Sequence, residues 1–208
     1  MDSKLVAIVR ALPMEELEAV SAALIAGGVT VLEFTIDHDA KDCVKSTCRK
    51  IAYIAEKYAD KIHVGAGTVL SVAEATEVRA AGASLIISPN TNIEVIHYTK
   101  NAGMLSIPGA MSPTECVLAH QAGADYVKLF PAGELGIGYV KALMAPLRHI
   151  PFLIVGGITP DNIRDYLKLG VCGFGIGSGL LPAAMVRNKD YAAIQKLAEQ
   201  YINLVKDS

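Results

Sequence analysis

Two ionisable residues stand inside apolar strand-like runs that leave little room for charge. Lys128 lies between Tyr126-Val127 and Leu129-Phe130, and Glu33 lies between Val31-Leu32 and Phe34. A lysine enclosed in this way is rarely fully buried without a partner. Low dielectric disfavours its ammonium and lowers its pKa, leaving a neutral amine that attacks ketones to form a Schiff base. The bland alternative is a lysine at a strand end, snorkelling or held in a structural ion pair. Burial of Glu33 would raise its pKa into the range that suits general acid–base work near neutrality. Its bland alternative is a salt bridge to Arg10 or Lys128. Strand alternation puts Val31, Glu33 and Thr35 on one face, and if that face points inward, Glu33 enters the same cavity as Lys128.

Two glycine clusters add a possible anion site. Gly156-Gly157-Ile158 and Gly175-Ile176-Gly177-Ser178-Gly179 each follow an apolar run. Glycine lets the backbone approach an anion closely, and N–H groups there suit phosphate; simple turn chemistry is the alternative. Asp37-His38-Asp39 could ligate a divalent metal but reads as a polar turn, and His38, His63, His97, His120 and His149 show no clustered ligand spacing. No metal and no cofactor are expected. Ser21, Ser71 and Ser112 sit near helix starts or on helix surfaces and lack a nucleophile motif. Cys43, Cys48, Cys116 and Cys172 form no CxxC pair and read mostly as buried, inert thiols.

The elements that must position these groups follow from periodicity. Short β-branched runs alternate with helical patterns. The strands read as Leu5–Val9, Val29–Ile36, Ile62–Gly67, Leu85–Ser88, Met104–Pro108, Tyr126–Phe130, Phe152–Gly156 and Gly173–Gly177. The helices between them read as 13–25, 39–58, 72–81, 92–101, 113–121, 138–147 and 160–169, with a last amphipathic helix over 189–205. Strand starts recur about 24 residues apart, the length of one βα unit. The strands are nearly continuous apolar runs, as parallel strands covered on both faces must be. Eight such units predict a (β/α)8 barrel, a TIM barrel in the α/β class, as one domain over residues 1–208. An open doubly wound sheet is the runner-up, and no GxGxxG follows the first strand.

In this barrel the chemistry sits at the C-terminal strand ends. The residues there are Arg10, Glu33 with Thr35 and Asp37, Gly67-Thr68, Ser88-Pro89-Asn90, Pro108-Gly109, Lys128, Gly156-Gly157 and Gly177-Ser178. A formal net charge of −2 argues against nucleic-acid binding, which needs a basic surplus. Hydrophobic residues make up 52% of the chain, yet Gly, Pro or charge interrupts every apolar run before a membrane span is reached. The polar start Met1-Asp2-Ser3-Lys4 does not read as a secretory signal, so a cytoplasmic protein with reduced thiols is expected.

Several segments together resemble a known family. They are Ala7-Ile8-Val9-Arg10, Val31-Leu32-Glu33-Phe34-Thr35, Val64-Gly65-Ala66-Gly67-Thr68-Val69, Ile87-Ser88-Pro89, Ile107-Pro108-Gly109, Val127-Lys128-Leu129-Phe130-Pro131-Ala132 and Gly156-Gly157-Ile158. In this order they are similar to the 2-keto-3-deoxy-6-phosphogluconate (KDPG) / 4-hydroxy-2-oxoglutarate (KHG) aldolases over nearly the whole chain. The resemblance implies a class I aldolase on a (β/α)8 barrel, a homotrimer that needs no metal. It implies cleavage of a 2-keto-3-deoxy sugar acid, KDPG and/or 4-hydroxy-2-oxoglutarate, to pyruvate and an aldehyde (glyceraldehyde 3-phosphate or glyoxylate). By matching position, Lys128 would be the Schiff-base lysine and Glu33 the proton shuttle. Thr68 and Arg10 would hold the pyruvate carboxylate, Pro89 would line the pocket, and Gly156, Gly157 and Ser178 would surround the distal phosphate or carboxylate.

Two positions depart from the family pattern. Asp37 stands where many members carry a substrate-contacting Arg or Thr, and an acid there would repel a carboxylate. Val155 stands where members usually carry a phosphate-binding Thr, and the missing hydrogen bond is worth roughly 0.5–1.5 kcal/mol. An unphosphorylated or different 2-keto acid, or a non-catalytic sugar-acid-binding relative, are therefore the alternatives. Another phosphate-binding barrel enzyme would need metal ligands or a pyrophosphate loop, whose spacing is not evident.

Overall fold

The computed structural model describes residues 4–59 and 61–206. The polar start at residues 1–3 lies outside the described residues. Each apolar run becomes a strand: β1 (Leu5–Val9), β2 (Val31–Thr35), β3 (His63–Gly67), β4 (Leu85–Ile87), β5 (Leu105–Ile107), β6 (Gly109–Ala110), β7 (Val127–Leu129), β8 (Phe152–Val155) and β9 (Gly173–Ile176). They form one sheet in the order β5-β4-β3-β2-β1-β9-β8-β7-β6, and every pairing is parallel.

The eight expected strands are nine segments because one run is broken at Pro108. Proline has no N–H for a ladder and interrupts the regular pattern. β5 pairs with β4, and β6 pairs with β7. The two sheet edges thus belong to one stretch of chain, Leu105–Ala110, and the barrel closes through it. Hydrogen bonds that carry the closure run from Asp125 N–H to Ser106 O at 3.0 Å, Lys128 N–H to Pro108 O at 2.9 Å and Phe130 N–H to Ala110 O at 3.1 Å. The (β/α)8 expectation is met in a single domain.

The helices are α1 (Met14–Ala26), α2 (Cys43–Tyr58), α3 (Val72–Ala80), α4 (Ile93–Asn101), α5 (Pro113–Gln121), α6 (Ala132–Met144), α7 (Ile163–Leu167), α8 (Ala183–Arg187) and α9 (Tyr191–Lys206). α2 starts four residues later than expected, because Asp37–Ala40 closes a turn, with Ala40 N–H on Asp37 O at 2.9 Å, and Asp42 takes a left-handed φ of 54°. α6 starts earlier, with a break at Gly136, whose φ of 79° and ψ of 156° are not helical. The expected start at 138 is the second half of that helix. α7 is shorter than expected, and α8 was not legible at all; its five residues make little more than one turn, too few for a helical period to show, and none is buried.

Small polar residues explain several helix starts. Ser71 with Glu74 and Ser112 with Glu115 form capping boxes for α3 and α5, and Asn92 caps α4. Ser21, expected near a helix start or on a surface, is instead fully buried in α1. The thiols also differ from expectation. Cys116 is buried, Cys43 and Cys48 are half-buried, Cys172 is exposed, and all four are free.

Two apolar clusters hold the barrel. Val6, Val31, Leu85, Ile87, Ile107 and Leu153 fill the interior, while Leu5, Ala7, Val9, Leu32, Phe34 and Phe152 face the helices. Each fully buried Leu, Ile or Phe contributes about 1.5–3 kcal/mol. The interior plug shows which strand face points inward, and Glu33 lies two residues from Val31 on that face. No helix among the described residues is long and apolar enough to cross a membrane.

Candidate active site

Register places both ionisable groups inside the barrel mouth. Glu33 pairs with Ile8 on one side and Gly65 on the other. Lys128 pairs with Gly109 and with the interior residue Leu153. Laterally paired residues share a sheet face, so Lys128 points inward as well. Above the apolar plug, glycine makes the room. A Cβ on Gly67 would lie 1.6 Å from Glu33 Oε1, so the carboxyl rests directly on the Gly67 backbone. A Cβ on Gly175 would lie 2.8 Å from Val155 Cγ2.

Both groups are buried, Glu33 at 2% and Lys128 at 7% exposure. Burial holds the Glu33 carboxyl above the usual range, and the opposing positive charge of Lys128, the Thr35 hydroxyl and Arg10 offset only part of this. Burial pulls the Lys128 ammonium below its ordinary value; Glu33 opposes that and Arg10 adds to it. Among the described residues Glu33 Oε2 has no hydrogen-bond partner, and Oε1 accepts only a long bond from Thr35 Oγ1 at 3.4 Å. Neither Arg10 nor Lys128 forms an ion pair with it among the described residues. The structural salt bridge considered for both residues is therefore absent there. Lys128 Nζ lies 4.9 Å from the centre of the Phe130 ring. The arrangement is an amine pushed toward neutrality near a carboxyl pushed toward protonation, each within the other's field.

The remaining residues singled out from sequence divide into two groups. Arg10, Gly156, Gly157 and Ser178 come together around a cavity of about 260 Å³ at the C-terminal ends of β1, β8 and β9. Gly156 and Gly157 take φ of 91° and 68°, a left-handed pair that folds the loop back against Gly133. Val155 walls this cavity. Thr68 and Pro89 follow β3 and β4 and do not line it. Thr68 holds a left-handed φ of 58°, a costly conformation for a β-branched residue that persists where the surroundings impose it. Pro89 O would lie 2.4 Å from a Cβ on Gly109, which accounts for that glycine.

Sequence reasoning missed Thr159 as a cavity residue, although it comes directly after Gly156-Gly157-Ile158, the loop that was itself the signal. It also missed the support that Gly67 gives to Glu33, because a cross-strand contact leaves no local pattern; Thr35, two residues along β2, was on the Glu33 face by alternation. Asp37 is exposed and accepts from Asp39 N–H at 3.3 Å, the expected polar turn. His38 Nε2 lies 3.0 Å from Glu74 Oε1, tying that turn to α3.

A closed parallel barrel with such an amine and carboxyl at its mouth is the framework of a Schiff-base lyase, a class I aldolase. The description KDPG and KHG aldolase matches residues 1–197. A 2-dehydro-3-deoxy-6-phosphogalactonate aldolase of Escherichia coli (strain K12) is 33% identical over 97% of this chain and 93% of its own length. A solved structure described as native KDPGal superposes with a TM-score of 0.87 at 31% identity, covering 98% of this chain and 94% of that one. A KDPG aldolase from Legionella pneumophila, with pyruvate captured as a covalent carbinolamine, superposes with a TM-score of 0.84 at 27% identity over 94% and 92% of the two chains. The chain belongs to the KDPG and KHG aldolase family.

Proposed function

We propose that this aldolase cleaves a 2-keto-3-deoxy sugar acid, KDPG and/or 4-hydroxy-2-oxoglutarate, through a Schiff base on Lys128. The observation that carries the reading is Lys128 itself, buried without an ion pair among the described residues and lowered in pKa, in the field of buried Glu33. The neutral amine attacks the C2 ketone, and loss of water gives an iminium that withdraws electrons. Glu33 takes the C4 hydroxyl proton as the C3–C4 bond breaks, leaving an enamine and releasing the aldehyde. Protonation at C3 and hydrolysis then release pyruvate and restore the amine. Arg10 and Thr68 hold the keto-acid carboxylate, and Pro89 lines the pocket. Gly156, Gly157 and Ser178 receive the distal anionic group.

The distal cavity supports both a phosphorylated and an unphosphorylated tail. Arg10 and Ser178 offer a cation and a hydroxyl, whereas Val155 and Ile158 offer none. Assay of the gluconate and galactonate epimers, each with and without phosphate, assigns the substrate. The chain is further proposed to act as one domain over residues 1–208, as a cytoplasmic homotrimer. Free cysteines suit a reducing compartment. Exposed Tyr139, hydrogen-bonded to the carbonyl of exposed Met111 at 2.7 Å, offers apolar surface to a second copy. Sedimentation tests the trimer, and a monomer would count against it.

The catalytic reading is tested by incubating the protein with pyruvate and borohydride and weighing the product. A reduced pyruvate adduct on Lys128, lost in Lys128→Ala, is expected. Absence of an adduct at excess pyruvate would sink the reading in favour of a non-catalytic binding relative.

A further inference from the structure

A second cavity, of about 420 Å³, lies on the outer side of Arg10, between the β1–α1 turn and α8. Its walls are apolar, from Leu12 and Pro13 below and from Leu181 and Val186 above. Arg10 and Arg187 also line it, and neither guanidinium has an acidic partner among the described residues. Of its two carboxylates, Glu16 is already engaged. Lys189 Nζ lies 3.0 Å from Glu16 Oε1, and the Tyr191 hydroxyl donates to Oε2. These two contacts also tie the segment after α8 down onto α1. That leaves, around an apolar hollow, two guanidinia and one carboxylate, Glu15, without an ion pair among the described residues, and Arg10 is also felt by Glu33 on its barrel side.

We propose that this cavity binds an aliphatic monocarboxylate, its tail against Leu12, Leu181 and Val186 and its head on Arg187 and Arg10. An apolar tail gains from burial there, and a single negative charge matches the surplus of one positive charge among the free groups. Arg10 lines both this cavity and the mouth cavity that holds Gly156 and Ser178. A head group that draws Arg10 outward takes it from the keto-acid carboxylate, so occupancy weakens pyruvate binding and leaves the chemistry at Lys128 unchanged. This coupling rests on the proposed role of Arg10; the binding itself does not.

Hexanoate is the probe, with hexylammonium as its cationic counterpart, and calorimetry reads binding to the full chain without turnover. Saturable one-to-one binding of hexanoate is expected, lost in Arg187→Ala and in Val186→Asp, with none for hexylammonium. Arg187 and Val186 are exposed or half-buried on α8, so both variants should fold, which circular dichroism checks. Half-saturation of pyruvate trapping should rise at least about fivefold under saturating hexanoate while maximal trapping is unchanged. Arg187→Ala should abolish that rise and trap normally without hexanoate. No binding, binding indifferent to both variants, or equal binding of hexylammonium overturns the site. Binding without any change in pyruvate half-saturation overturns the coupling. Failure to trap pyruvate at all, with hexanoate still bound, would instead reject the Schiff-base reading and leave the cavity assigned.

Discussion

Gly67→Ala isolates the position of Glu33 from its chemistry. The new Cβ would lie 1.6 Å from Glu33 Oε1, 2.3 Å from Cδ and 2.8 Å from Cγ. Ordinary contact begins near 3.4 Å, so the carboxyl must retreat by about 1.8 Å. The three nearest atoms, which must yield, all belong to the end of the Glu33 side chain. The fold should therefore survive, with a melting temperature within a few degrees of wild type. A misplacement of about 1 Å in a reacting group costs on the order of 10²-fold, so kcat/KM for the retro-aldol reaction should fall by about that factor or more, about 2.7 kcal/mol in the barrier. Pyruvate and borohydride should still modify Lys128, since the amine is untouched. Steady-state kinetics and mass spectrometry on one preparation read both effects. Wild-type kcat/KM in folded Gly67→Ala would refute the claim that the Glu33 carboxyl must sit where the structure puts it.

Other outcomes follow from the same geometry. Glu33→Gln removes the negative charge that raises the Lys128 pKa, so the amine pKa falls further and the acid limb of the pH profile for pyruvate trapping moves to lower pH. A shift to higher pH would contradict the coupling. The folded pKa of Lys128 is depressed, so between it and the unfolded value of about 10.4 the folded state binds fewer protons and wild-type stability rises with pH. Lys128→Met should abolish that rise and be more stable than wild type at neutral pH by about 1 kcal/mol or more, read by denaturant unfolding at neutral and alkaline pH. Val155→Thr adds a hydroxyl to the distal cavity wall and should shift kcat/KM toward phosphorylated over unphosphorylated substrate, by about tenfold at most. Gly138→Ala, at an exposed position of α6, meets nothing within 4 Å and should stabilise the fold by about 0.5–1 kcal/mol, measured by thermal unfolding.

Much of this molecule is legible in one dimension, because its dominant signals are local. Apolar β-branched runs at a spacing of about 24 residues specify buried parallel strands, and eight of them specify a barrel. Glycines and capping residues mark most of the ends. Where expectation and structure part, the cause is a force that composition does not carry. Pro108 splits one strand. The turn at Asp37–Ala40 delays α2, and α8 is too short for a helical period to announce it. Ser21 is polar in type but fully buried by its place in α1.

The sequence by itself determined that a lysine and a glutamate interrupt two apolar strands, and that glycine-rich turns follow the last two. Charge inside such runs is costly enough to mark both residues as exceptional. Only the tertiary structure decided that the two share one barrel interior. Inward or outward orientation depends on register with neighbouring strands, and register is a relation between segments far apart in the chain. It also decided that Glu33 rests on Gly67, that neither charge is neutralised by an ion pair among the described residues, and that Arg10 lies on the wall between two cavities. Those are distances across the fold, and they turn two unusual residues into one chemical site.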